Sequence, residues 1–216
     1  YERDIGMKDE SLLIPELLKE ANYNTAIIGK WHLGHYLETM PLAQGFHSYY
    51  GIPYSNDMNH PQNKNRPKQR RDASWKNMED VAMRWNTPLI QDNKIIELPV
   101  NQRTITRRYT DQAIEFIKEN EDHPFFLYLP HSMPHVPLFV PKDAYDPDPK
   151  NAFTCTIQHL DTEIGRLINH VRNSKVSRNT VIIFTSDNGP WLTFKNHGGS
   201  ATPLRAGKFS HFEGGH

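Results

Sequence analysis

Three times along this chain, apolar residues at helical spacing are followed by a short, continuously apolar run. No other feature restricts the fold as strongly, because helices and doubly apolar strands must alternate in space as they do in sequence. The first unit places Leu13, Ile14, Leu17, Leu18 and Ala21 on one helix face, with Ser11 as the predicted N-cap and Pro15 tolerated in the first turn. Thr25, Ala26, Ile27 and Ile28 follow as a strand that ends at Gly29. The second unit pairs Ile105, Tyr109, Ala113, Phe116 and Ile117 with a strand over 125–129. The third pairs Ile157, Leu160, Ile164, Leu167, Ile168 and Val171 with Val181, Ile182, Ile183 and Phe184. Strands apolar on both sides are buried on both faces, so the expected class is α/β, with a mostly parallel central sheet flanked by helices. A length of 216 residues is enough for a substantial core.

The 25 Lys+Arg balance the 25 Asp+Glu, which argues against a nucleic-acid or membrane-surface binder; those carry a basic excess. No apolar run reaches the roughly 20 residues of a membrane span. Cys155 is the single cysteine, which excludes an intramolecular disulfide and a multi-cysteine zinc site but leaves the compartment open. The sequence starts at Tyr1 and stops within a loop-like Glu213, Gly214, Gly215, His216, so an internal fragment of a longer chain is expected. Residues 36–103 form an excursion too long for an ordinary connection. Its basic centre, 63–71, reads either as a solvated loop or as a rim attracting an anion, with Trp75 and Trp85 as stacking surfaces. Near its end, Leu89, Ile90 and Ile95, Ile96 flank a predicted hairpin turn.

In open α/β sheets, ligands gather at the carboxyl ends of the strands, which places the chemistry after Gly29, Leu129 and Thr185. All three positions are polar. Lys30 and His32 would share one side of an extended segment while Trp31 anchors the other. A surface lysine beside a structural histidine would look the same. His131 and His135 lie in a proline-punctuated loop, unsuited to the helical spacing of a zinc pair. Asp187 and Asn188 offer hard oxygen donors suited to calcium or magnesium, or merely a turn before Gly189. Lys208, close to glycines, can approach an anion, as can any flexible loop lysine.

Five ordered blocks then resemble the sulfatase family, of the arylsulfatase A and galactosamine-6-sulfatase type. They are 23–34 (YNTAIIGKWHLG), 51–57 (GIPYSND), 124–137 (PFFLYLPHSMPHVP), 181–190 (VIIFTSDNGP) and 207–215 (GKFSHFEGG). The resemblance implies an alkaline-phosphatase-like fold, incomplete at both ends, with 1–216 as part of one catalytic domain. By the same resemblance Lys30 and Lys208 hold sulfate oxygens, and His32 lies beside a formylglycine nucleophile. His135 meets the leaving-group oxygen, Ser55 lines the pocket, and Asp187 with Asn188 form half of a calcium site, magnesium being the alternative ion. The family's other acidic pair and its C/S-x-P/A-x-R motif are absent, since Cys155 is followed by Thr156, Ile157, Gln158 and His159.

The activity implied is sulfuric ester hydrolysis on a sulfated carbohydrate or aryl sulfate, in an exported, periplasmic or lysosomal setting, with the fragment alone inactive. Two rivals stay open: a phosphatase, phosphodiesterase or phosphonate hydrolase of the same superfamily, and a binding protein for sulfated glycans. Asn188 speaks against a two-zinc phosphatase, since zinc prefers a nitrogen donor there. Substrate identity and oligomeric state are not readable.

Overall fold

The computed structural model describes residues 6–7, 11–58, 75–76, 78 and 82–216. Strand β1 (Asn24–Lys30) is buried along its length and lies between two parallel neighbours, β2 (Ser48–Ile52) and β5 (Phe125–Tyr128). Beyond β2, the antiparallel pair β3 (Leu89–Gln91) and β4 (Lys94–Glu97) completes a sheet of order β4-β3-β2-β1-β5. The class is α/β, and its sheet is mixed because β3 runs against both of its neighbours, β2 and β4. Among the described residues no helix is long and apolar enough to cross a membrane.

Side-chain alternation along the strands builds two cores. Ile28, Tyr50 and Ile52 point to the face covered by helix α2 (Ile105–Glu119), where they meet Ile105, Tyr109 and Ala113. Ile27, Tyr49 and Ile90 point the other way and pack with Trp31, Met40 and Phe46. Each such side chain, fully buried, contributes about 1.5–3 kcal/mol, so this strand pattern decides which face each neighbour must cover.

Several expectations need correction. Helix α1 (Ile14–Glu20) begins after Leu13 and not at Ser11, because the Glu16 carboxylate reaches back to accept from the Leu13 N–H at 2.8 Å. Its expected apolar face is largely open, with Ile14 61% and Leu17 49% exposed. Residues 181–184 form no strand and are exposed. A strand needs a hydrogen-bonding neighbour, and no described residue supplies one to them or to the free edge of β5. The excursion over 36–103 contributes β2, β3 and β4 to the sheet. Trp75 and Trp85 are core residues, 1% and 5% exposed, and not stacking surfaces. The basic stretch 63–71 lies outside the described residues.

Helix α3 (Ala152–Arg172) buries Thr156, His159, Leu160 and Glu163, a face rotated from the predicted stripe, and leaves Ile157 exposed. Ion pairs to α2 accompany the buried face. The Glu163 carboxylate, 1% exposed, receives Arg107 Nε of α2 at 3.1 Å and also pairs with Arg166, whose second nitrogen reaches Asp111 of α2 at 2.7 Å. A buried carboxylate is costly unless it is paired. Substituting both Arg107 and Arg166 by Leu is therefore expected to lower stability by about 3 kcal/mol, whereas Glu163→Leu, which removes the buried charge itself, costs less. Denaturant unfolding midpoints at constant slope measure the difference.

Candidate active site

The site begins where three strands end too close together for side chains. Gly29 has φ +141°, and a Cβ there would lie 2.0 Å from the Pro130 carbonyl oxygen; one on Gly51 would lie 1.7 Å from that of Gly29. With no side chains in the way, the tips of β1, β2 and β5 zip together. The N–H groups of Lys30, Trp31 and His32 donate to Pro130, Ile52 and Pro53 at 2.8, 3.0 and 3.1 Å. Trp31 turns into the core beneath, its Nε1 donating to Thr39 O at 2.8 Å. His32 has φ 60°, so the segment bends at this residue and is not extended as expected. A histidine tolerates that region better than most residues.

Beyond β2, the turn carrying residues 53–58 brings in Ser55 and Asn56, 3% and 0% exposed. Ser55 Oγ lies 3.3 Å from Nδ1 and 3.4 Å from Nε2 of His135, and Asn56 Oδ1 lies 3.1 Å from that Nδ1. His135 sits in the loop after β5, held by buried Met133, Val136, Leu138 and Phe139. Its ring is 6.1 Å from that of Trp191. The last wall joins two remote segments. A Cβ on Gly189 would lie 1.8 Å from Gly214 O, so only glycine admits this crossing. Gly189 N–H donates to Gly215 O at 3.1 Å and Lys208 N–H to Pro190 O at 2.9 Å. Lys208 Nζ then stands 5.5 Å from the Trp191 ring centre, within cation–π range.

Charge shows which side chains share this space. Burial lowers the pKa of Lys30, opposed by Asp187, reinforced by Lys208 and opposed by Asp57. His32 is exposed at the rim, yet the surrounding protein lowers its pKa, with Lys30 adding to the effect and Asp57 opposing it. Burial likewise pushes His135 down to about 4, against Asp57 and with Lys30 and Lys208. Lys30, His32, Ser55, His135, Asp187 and Lys208 thus lie near one another, joined by Asp57. Asn188 is placed beside Asp187 by chain adjacency, its carbonyl accepting from Ser186 Oγ at 2.9 Å. His131 departs from the group. Its ring nitrogens are sealed from solvent and have no hydrogen-bond partner among the described residues, near Tyr109, and burial holds its pKa down at about 4 against the pull of Glu163.

Sequence reasoning missed Asn56, Asp57 and Trp191 as parts of this site. Asn56 and Asp57 follow Ser55 directly, but their direction depends on β2, whose Ser-Tyr-Tyr-Gly-Ile composition is not a recognisable buried run. Chemically, a cleft with two ammonium groups, two imidazoles and a buried hydroxyl suits a tetrahedral oxyanion ester.

Two outcomes follow from the charges. Replacing Lys30 by Met removes a cation that depresses both imidazoles, so the pKa values of His32 and His135 should rise, as read by histidine ring-proton NMR titration. Stability should also fall with acidification from about pH 6.5 to about pH 4. In that window the unfolded chain protonates His131 and His135 and the folded chain does not, so the unfolding midpoint drops as pH is lowered.

The sulfatase family model matches residues 4–216. The chain is 34% identical to arylsulfatase G of Rattus norvegicus over 97% of its own length and 41% of the relative's. It is 33% identical to N-acetylgalactosamine-6-sulfatase of Homo sapiens, over 97% of this chain and 39% of that one. It therefore spans about two-fifths of the length of these relatives. Among solved structures, Ps i-CgsB in complex with k-i-k-neocarrahexaose superposes with a TM-score of 0.75 at 29% identity, covering 99% of this chain and 47% of that one. The PsFucS1 sulfatase from Pseudoalteromonas sp. shares the fold, with a TM-score of 0.72 at 24% identity, over 93% of this chain and 42% of that one. With the family model spanning nearly every residue and the polar cleft lying at the strand tips, this chain belongs to the sulfatase family.

Proposed function

We propose that the protein carrying this chain hydrolyses sulfate esters of carbohydrates or aryl alcohols, and that this cleft is its sulfate site. The supporting observation is the convergence of Lys30 and Lys208 with His135 and Ser55 at the tips of β1, β2 and β5. Sulfur–oxygen cleavage moves negative charge onto the bridging oxygen, and fixed cations stabilise that change more than they stabilise the ground state. Lys30 and Lys208 bind the non-bridging oxygens, and Ser55 donates to one of them. His135 delivers the proton to the leaving alcohol. Burial holds its pKa down at about 4, against Asp57 and with Lys30 and Lys208 adding to the effect. A bound sulfate ester places a negative charge beside the ring and raises that value toward the working range. His32, next to Lys30 with a depressed pKa, is suited to accept a proton.

Calcium, or magnesium in its place, would be held by Asp187 and Asn188. These are hard oxygen donors of the right class, but they supply only part of the roughly six to eight oxygens calcium takes. Among the described residues there is no cluster of three or more His, Cys, Asp or Glu side chains placed for a metal, so other donors would complete the shell. The ion would add positive charge to the sulfate oxygens. A formylglycine would supply the nucleophile, and Cys155, half-buried on α3 and packed against the main core, does not stand in for it. An exported, periplasmic or lysosomal location accords with this reading.

Lys208→Ala should lower kcat/KM for an aryl sulfate by about 100-fold, or about 3 kcal/mol, with little change in fold. Kinetics unaltered by that substitution would remove Lys208 from the site. A parallel assay with the matching phosphate ester separates sulfatase from phosphatase activity. A protein that binds sulfated glycan and turns over neither ester would be the non-catalytic homologue.

A further inference from the structure

Asn56 has no solvent exposure, and its three hydrogen-bonding positions are all assigned by their neighbours. One side-chain atom lies 3.1 Å from the backbone oxygen of Pro137, which can only accept; that atom is therefore Nδ2. The same Nδ2 donates at 3.0 Å to Gln102 Oε1. Gln102 is 1% exposed, and its own amide cannot be reversed, because its Nε2 donates at 2.8 Å to the backbone oxygen of Asn56. Two main-chain carbonyls thus lock both amides, which removes the usual ambiguity of amide orientation. The remaining Asn56 atom is Oδ1, an acceptor, 3.1 Å from Nδ1 of His135.

An acceptor at that distance requires a proton on Nδ1. We infer that Asn56 and Gln102 are positioning residues that hold His135 in its Nδ1–H tautomer, so that Nε2 is the nitrogen that gains and loses the catalytic proton. The neutral ring then leaves Nε2 as its acceptor, and Ser55 Oγ lies 3.3 Å from Nδ1 and 3.4 Å from Nε2. The other groups acting on the ring are Asp57, Lys30, Lys208 and the backbone of Val136, with the Trp191 ring 6.1 Å away and tilted by 53°. Asn56 is the uncharged choice for the orienting position. A carboxylate there would stabilise the imidazolium before substrate arrives, whereas an amide fixes the ring and leaves protonation to be driven by the bound anion. The catalytic consequence rests on the sulfatase reading above, but the tautomer does not.

Long-range nitrogen–proton NMR of the intact protein near neutral pH reads the tautomer directly. His135 is expected with Nδ1 protonated and Nε2 bare, and Asn56→Ala should shift the ring toward the Nε2–H form. A wild-type ring protonated on Nε2 alone would overturn the proposal, whether or not any variant folds. Asn56→Asp adds a kinetic test: the alkaline limb of the kcat profile should move up by at least about 1 pH unit, as a carboxylate beside an imidazole requires. A lower rate with the limb unmoved would leave Asn56 a purely structural role and would also count against the inference. Absence of sulfatase activity in the parent protein would count against the proposed reaction only, since the NMR measurement needs no turnover.

Discussion

The close approach of backbone at Gly29, Gly51 and Pro130 is the constraint on which the rest of the molecule depends. Parallel strands normally fan apart at their ends through sheet twist. Here the absence of side chains lets the tips hydrogen-bond past the regular ladder, and Lys30, Ser55 and His135 emerge from adjacent strands into one space. Any side chain at Gly29 would meet backbone rather than a flexible neighbour, so the convergence would be lost before any functional residue was touched.

That convergence concentrates like charge. Lys30 and Lys208 repel each other and add to the depression of both imidazoles that burial chiefly causes, a cost offset in part by Asp57 and Asp187. Such an arrangement is unfavourable without an anion and favourable with one, which is the electrostatic character expected of a site that binds charge developing in a transition state. The buried amides of Asn56 and Gln102 beside His135 hydrogen-bond to each other and to the main chain, so they supply rigidity without adding charge.

Much of this was legible in the sequence. Continuous apolar runs identified β1 and β5, helical spacing identified α2 and α3, and the Leu89 to Ile96 pattern identified the β3–β4 hairpin. Ends of helices were less legible: the cap of α1 comes from the Glu16 side chain reaching back, which composition does not announce. Burial was the least legible property. Residues 181–184 have the composition of a core strand and lie exposed, because strand propensity has no effect without a partner edge. Glu163 reads as a surface residue and is buried, because Arg107 from another helix neutralises it.

By itself the sequence determined the element types, the polar character of the segments that follow each strand, and the family likeness, since these depend on local periodicity and local chemistry. Only the tertiary structure decided which polar residues face one another. The orientation of Asn56, the departure of His131 from His135 and the placing of Trp191 beside Lys208 all depend on contacts between segments tens of residues apart. Such contacts are settled by packing and hydrogen-bond satisfaction, which leave no mark on the spacing of residues along the chain.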